Sequence, residues 1–84
     1  MISEDLINQL VGINLKFLRR IKKVSQKELG EALGVTAQQI QKYESGKNSI
    51  NSAKLLLISV KLSCKVEDFF ATERKVPRKR RIRK

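Results

Sequence analysis

Apolar residues recur at intervals of three or four along most of the chain, which is the spacing of one face of an α-helix. The first predicted helix spans residues 5–22, with Ser3 as its N-cap. Its core face carries Ile7, Val11, Leu15 and Leu18. A second apolar face carries Leu6, Leu10, Ile13 and Phe17. One small core does not need both faces, so the second indicates either deeper burial of this helix or a contact between subunits.

Two short predicted helices with a tight turn between them occupy residues 26–46. The first begins at the sequence S-x-x-E, where Ser25 and Glu28 form a capping box. Its core-facing residues are Leu29 and Leu33, with Ala32 beside them. Gly30 lacks a side chain and is predicted to allow a close helix contact. Gly34 is predicted to end the helix, because glycine adopts left-handed backbone without steric cost.

The second short helix, over about residues 37–45, has an apolar side and a polar side. Thr36 and Gln39 form a second predicted capping box, and Gly46 ends the helix. The residues that face the core are Ile40 and Tyr43. Those that face outward are Gln38, Gln41, Lys42 and Ser45, with Ala37 exposed on the first turn. The outward side therefore carries amides and one ammonium and no acid.

The remaining apolar pattern predicts two further helices. A fourth helix over residues 52–62 begins at the cap Asn51. Its core positions are Leu55, Ile58 and Leu62, and its far side carries Leu56, Leu57 and Val60. A short fifth helix over residues 66–71 places Phe69 and Phe70 in the core. The pattern thus predicts an all-α protein, a compact five-helix bundle within residues 1–73.

Positive charge is concentrated at the end of the chain. The net charge is +11, and residues 74–84 carry eight Lys or Arg and no acid, which leaves +3 for residues 1–73. We predict that residues 74–84 are a disordered basic tail. Such a tail could be a solubilising end, a sequence-independent phosphate anchor, or a targeting or membrane-surface segment. The overall surplus favours an anionic partner, with nucleic acid ahead of a membrane surface.

The composition argues against catalysis and against a metal centre. The chain has no histidine and one cysteine, so neither a disulfide framework nor a Cys/His metal site is expected within it. Cys64 is interpreted as a small core residue in a reducing, cytoplasmic setting. There is no nucleophile–base pair and no glycine-rich phosphate loop, so we expect neither an enzyme nor a cofactor. No apolar run reaches the roughly 18 residues of a membrane span, and no signal peptide is evident.

Residues 11–71 resemble the Cro/C1-type helix-turn-helix family, also called the XRE family, of phage repressors and bacterial regulators. The segments that carry the resemblance are Val11-Gly12, Leu15, Leu18-Arg19, Ser25-Gln26, Leu29, Leu33-Gly34-Val35-Thr36, Ile40, Tyr43-Glu44-Ser45-Gly46-Lys47, Leu55, Ile58, Leu62 and Val66-Glu67-Asp68-Phe69-Phe70. The resemblance implies a fold of the lambda repressor type that binds operator DNA, usually as a homodimer.

The resemblance also implies a role for individual residues. Base edges would be contacted by Ala37, Gln38, Gln41 and Lys42. Phosphates would be contacted by Gln26, through its amide and backbone N–H, and by Ser45, Lys47, Asn48 and Ser49. Arg19 and Glu44 would form a buried ion pair that ties the first helix to the recognition helix.

Three functions are consistent with these features. The first is a transcriptional regulator, most simply a repressor, that binds a palindromic DNA sequence as a homodimer. The second is a protein-binding module such as an antitoxin, whose partner would cover the extra apolar faces of the first and fourth helices. The third is a non-specific nucleic-acid binder that depends on the basic tail.

Overall fold

The structure, a computed structural model, describes residues 2–73 and consists of four α-helices followed by a 3-10 helix. The elements are α1 (Glu4–Ile21), α2 (Gln26–Leu33), α3 (Ala37–Glu44), α4 (Ser52–Leu62) and the 3-10 helix η1 (Val66–Phe70). The described residues contain no β-strand, so the all-α prediction is confirmed. The predicted disordered tail, residues 74–84, lies outside the described residues.

Each α-helix begins at the side-chain cap that the sequence predicts. The caps are Ser3, Ser25, Thr36 and Asn51, and each accepts a hydrogen bond from a backbone N–H three residues later. At Ser25 the capping box is complete, because Glu28 also accepts from the Ser25 N–H at 2.8 Å. The second predicted box is only half formed. The Gln39 amide donates to Asn48 Oδ1 at 3.1 Å instead of returning to the cap.

The core is formed mainly by α1 against α3 and η1, and by α2 against α3 and α4. Its buried apolar residues are Val11, Leu15, Leu18, Leu29, Ile40, Tyr43, Leu55, Ile58, Leu62 and Phe69. Three residues predicted to lie in or beside the core do not. Ile7 is 39% exposed, Phe70 is 43% exposed and Ala32 lies on the surface. Ile7 lies in the first turn of α1, beyond the part of the helix that contributes to the core.

The fifth element, predicted as a short helix over residues 66–71, is a 3-10 helix, and it ends at Phe70 instead of residue 71. No side chain caps the first turn of η1. The backbone N–H of Lys65, just before η1, donates a hydrogen bond to Asp68 Oδ2 at 2.9 Å. Its end is fixed from outside, since the amide of the buried Asn14 donates to the carbonyls of Phe69 at 2.8 Å and Ala71 at 3.0 Å. Those carbonyls are therefore bonded to α1, and η1 does not continue as a helix.

The extra apolar faces of α1 and α4 do not form a deeper core. On α1, Leu6 is 55% and Ile13 is 47% exposed, while Leu10 and Phe17 are half-buried. On α4 the exposed side chains are Leu56, Leu57 and Val60. Of the two explanations offered by the sequence, deeper burial is wrong for Leu6 and Ile13. None of the described helices combines the length and the hydrophobicity that a membrane crossing requires.

Candidate nucleic-acid interface

The helix α3 separates an inner side from an outer side. On the inner side Ile40, Tyr43 and Glu44 are buried. On the outer side Gln38, Gln41 and Lys42 are exposed, and within residues 2–73 their side chains have no hydrogen-bond or ion-pair partner. Ala37, predicted to be exposed, is half-buried at the start of the helix. Among the described residues, the outer side thus offers two amides and one ammonium without partners, and these are groups that bond to base edges.

The inner side is anchored by an ion pair between Arg19 of α1 and Glu44 at the end of α3. Arg19 Nε lies 2.6 Å from Glu44 Oε2, and Nη2 lies 3.3 Å from Oε1. Both side chains are shielded from solvent, with 11% and 5% of their surface exposed. The third guanidinium nitrogen, Nη1, donates to the carbonyl of Val24 at 2.9 Å. The planar guanidinium therefore fixes the end of α3 against both α1 and the turn that precedes α2.

The amide of Gln26 also belongs to this junction. Its Nε2 donates to Glu44 Oε1 at 3.0 Å. This bond uses one of the two N–H groups of the amide, and the phosphate contact of this side chain stays a prediction. The backbone is less constrained, because the N–H groups of Gln26 and Lys27 have no partner in the described part of the chain. Unpaired N–H groups of this kind at a helix N-terminus are suited to an anion.

Gly12 allows α1 to cross α3 at this junction in close contact. A Cβ atom placed at residue 12 would lie 2.5 Å from the carbonyl oxygens of both Tyr43 and Glu44. Sequence reasoning did not identify this requirement, although the signal was present as a glycine in the middle of a predicted helix. Gly30 has a similar role against the turn, where a Cβ would lie 2.6 Å from the Val35 carbonyl oxygen.

The loop after α3 is exposed and is ordered by hydrogen bonds back to the helix. The backbone N–H of Lys47 donates to the Lys42 carbonyl at 3.0 Å, and the Ser45 hydroxyl donates to the same carbonyl at 3.1 Å. Gln39 holds the side chain of Asn48, whose own amide donates to the Lys47 carbonyl at 3.1 Å. The predicted phosphate contacts Ser45, Lys47, Asn48 and Ser49 are thus all exposed at one end of α3.

The described residues offer few groups suited to nucleophilic or metal chemistry. Cys64 is half-buried, and desolvation, reinforced by the nearby Asp68 carboxylate, raises the pKa of its thiol to about 11. The thiol is therefore protonated at neutral pH, which makes it a poor nucleophile. The described residues contain no cluster of three or more side chains that could hold a metal ion.

The sequence profile of the helix-turn-helix family matches residues 15–69, a segment that includes α2, the turn, α3 and α4. The chain belongs to the Cro/C1-type helix-turn-helix family. This family consists of DNA-binding transcriptional regulators and is not a family of enzymes.

Several bacterial regulators are similar to the chain. An HTH-type transcriptional regulator of Sinorhizobium medicae is 45% identical over 60 residues, which are 71% of this chain and 43% of that protein. One from Rickettsia conorii is 38% identical over 64 residues, which are 76% of this chain and 51% of that protein. The chain therefore spans about half the length of these relatives.

Two crystal structures share the fold. ClgR, the clp gene regulator of C. glutamicum, aligns with a TM-score of 0.72 and 28% identity over 76% of this chain and 83% of its own. The restriction-modification controller protein C.AhdI of Aeromonas hydrophila aligns with a TM-score of 0.70 and 22% identity over 75% of this chain and 96% of its own. At 22% identity, the similarity to C.AhdI shows a shared fold alone.

Proposed function

We propose that this helix-turn-helix protein binds a specific double-stranded DNA sequence and represses transcription by occupying promoter DNA. The supporting observation is the asymmetry of α3. Its inner side is fixed to α1 through Arg19 and Glu44, while its outer side presents polar groups that have no partner within residues 2–73. A helix of this kind in a helix-turn-helix protein enters the major groove of DNA. A regulator of bacterial or phage transcription acts in the cytoplasm, where its DNA target lies.

The outer side of α3 supplies the proposed contacts to bases. The amides of Gln38 and Gln41 can each bond adenine N6 and N7 together, as acceptor and donor. Lys42 can donate to guanine O6 or N7, and the methyl group of Ala37 can contact a thymine methyl group. Each well-formed bidentate contact discriminates against a wrong base by about 1–3 kcal/mol.

Contacts to phosphates fix the position of the protein on the duplex without reading its sequence. We assign these to Ser45, Lys47, Asn48 and Ser49 in the exposed segment after α3, and to Gln26 at the start of α2. At Gln26 the contact uses the backbone N–H and the second N–H of the side-chain amide, whose first N–H donates to Glu44. The backbone of Lys47 and the side chain of Asn48 are held close to α3 by hydrogen bonds to Lys42 and Gln39, which supports this assignment.

We extend the proposal to a homodimer on a palindromic site. A two-fold dimer would place two copies of α3 about 34 Å apart, on half-sites one helical turn apart. The exposed apolar side chains of α1 and α4 are the candidate contact surfaces. We assign the basic segment 74–84 to sequence-independent phosphate binding, so its deletion should lower affinity for all duplexes and preserve the preference among them.

Selection of bound sequences from random DNA tests this function. The protein should enrich a palindromic sequence, and the Gln38→Ala variant should lose preference at a defined position of each half-site. The affinity for the enriched duplex should fall steeply with salt. Enrichment of no sequence, or the same sequence with the same preference from both proteins, would contradict the proposal.

A second candidate function is favoured by the three apolar side chains that α4 exposes. Leu56 is 57%, Leu57 is 49% and Val60 is 70% exposed. They suit a protein partner, as in an antitoxin that binds both its toxin and DNA. A heteromeric complex recovered with the protein, and lost when these three residues are changed to polar ones, would support this alternative. A homodimer that buries them would instead support the first proposal.

A further inference from the structure

The backbone of Lys23 adopts a conformation that a residue with a side chain rarely adopts. In residues 2–73 only Lys23 and Ser63 combine a side chain with a positive φ, at 59° and 54°. The left-handed conformation is unfavourable for both, because Cβ approaches the following carbonyl group. Glycine would adopt it without strain, as Gly34 does at the end of α2 with φ 75°.

The chain that follows Lys23 is attached twice to the ion pair at the end of α3. Before α2, the Val24 carbonyl accepts a hydrogen bond from Arg19 Nη1 at 2.9 Å, and Arg19 is itself paired with Glu44. After the turn, the Gln26 amide donates to Glu44 at 3.0 Å. Lys23 lies immediately before the first attachment and three residues before the second. The chain directly after Lys23 is therefore tied to the Arg19–Glu44 pair at the end of α3.

The side chain of Lys23 forms no polar contact in the described structure of residues 2–73. It is exposed, and its ammonium has no hydrogen-bond or ion-pair partner within residues 2–73. Three residues further on, the unpaired N–H groups at the start of α2 form the proposed phosphate contact. A strained residue whose side chain is exposed and forms no polar bond within the described residues is a reason to look for a function of that side chain.

We propose that Lys23 binds a DNA phosphate beside the one held by the first turn of α2. This inference rests on the proposed function, since it requires a DNA duplex along α2 and α3. The long side chain of lysine carries its charge well away from the backbone, and a duplex presents a negative charge about every 1.7 Å along its axis. The strained backbone is then retained because glycine, which would relieve it, has no ammonium.

The decisive variant is Lys23→Gly, for which folding and binding should change in opposite directions. Removal of the side chain relieves the strain and should raise the Tm by about 4 °C. Loss of one phosphate contact should reduce the slope of log affinity against log salt by about 0.9 and weaken binding about fivefold at about 150 mM salt. Both are measured on the full chain, by thermal denaturation and by titration of a 30-base-pair duplex.

Three matched variants separate charge, strain and position. Lys23→Arg keeps the charge and the strained backbone, so affinity and salt slope should match those of the wild type. Ser63→Gly relieves the same strain at the end of α4 and should raise the Tm without changing the affinity. Lys22→Gln removes the charge of the neighbouring residue, which lies within electrostatic reach of Cys64 after α4. This variant should change the salt slope by less than half the change expected for Lys23→Gly.

The titrations use two duplexes, the sequence enriched by selection and a random sequence of equal length. An unchanged salt slope for Lys23→Gly on both duplexes would overturn the proposal, as would an equal loss for Lys22→Gln. If selection enriches no sequence, the proposed specific function fails by itself. The slope on the random duplex still decides the role of Lys23.

Discussion

The two sides of α3 use their polar groups in opposite ways. On the inner side the Glu44 carboxylate accepts hydrogen bonds from Arg19 Nε, Arg19 Nη2 and Gln26 Nε2, and solvent reaches 5% of its surface. On the outer side Gln38, Gln41 and Lys42 have no partner within residues 2–73. One short helix therefore carries both the attachment that orients it and the groups that remain for another molecule. Substitutions on the inner side should affect stability, and those on the outer side should affect recognition.

The largest effect is expected where α1 crosses α3. Gly12→Ala would place a methyl group 2.5 Å from two backbone carbonyl oxygens, which cannot move without displacing α3. We expect a loss of unfolding free energy on the order of 4 kcal/mol, at the upper end of single substitutions. Helix propensity alone predicts that the unfolding free energy rises by about 1 kcal/mol, because alanine forms helices better than glycine does. Chemical denaturation decides between the two signs, and a more stable variant would contradict the close crossing.

The next largest loss of unfolding free energy is expected when the ion pair is broken. Glu44→Ala would leave the Arg19 guanidinium buried without its counter-charge, and we expect a loss of about 3 kcal/mol. Glu44→Gln retains a carbonyl oxygen for hydrogen bonding and should lose less. A double-mutant cycle with Arg19→Met measures the coupling energy between the two side chains. The double variant should be more stable than Glu44→Ala alone, and additive losses would show that the two side chains act independently.

Asn14 provides a similar attachment between α1 and η1. Asn14→Ala would leave the carbonyls of Phe69 and Ala71 without their donor, and we expect a loss of about 2 kcal/mol in urea denaturation. Asn14→Asp has the same size but replaces the donor with an acceptor that faces two carbonyl oxygens. It should be at least as destabilising, and wild-type stability for Asn14→Asp would contradict these bonds.

A smaller effect should appear only at alkaline pH. Burial raises the pKa of the Cys64 thiol from 9.0 to about 11, so the folded state holds the proton more tightly than the unfolded chain. This contribution to stability is complete below about pH 9 and is lost as the pH rises toward 11. Between about pH 8 and 10, the unfolding free energy of wild type should therefore fall more than that of Cys64→Ala. An equal fall in unfolding free energy for both proteins would indicate that the Cys64 thiol is solvated, and would contradict its raised pKa.

Sequence reasoning succeeded where a feature depends on neighbouring residues. Caps such as Ser25 and the left-handed Gly34 follow from local chemistry, and the helical period located most of the core. It failed where a feature depends on distant partners. Asn14 meets its carbonyl partners more than 50 residues away, and these bonds end η1 at Phe70. The direction of the Gln26 amide likewise depends on Glu44, which is brought near only by folding. The Arg19–Glu44 pair was predicted by family resemblance rather than by pattern.

The most direct test of the separation between the two sides of α3 is a measurement on the double variant Gln38→Ala/Gln41→Ala. Its unfolding free energy should stay within about 0.5 kcal/mol of wild type, because both side chains are exposed and have no partner in the described part of the chain. The measured quantity is the ratio of affinities for the selected duplex and a scrambled duplex at one salt concentration. For wild type this ratio should reach about 1,000 or more, and for the variant it should fall at least about tenfold. A wild-type ratio near one, or an unchanged ratio in the variant, would contradict DNA reading by this side of α3.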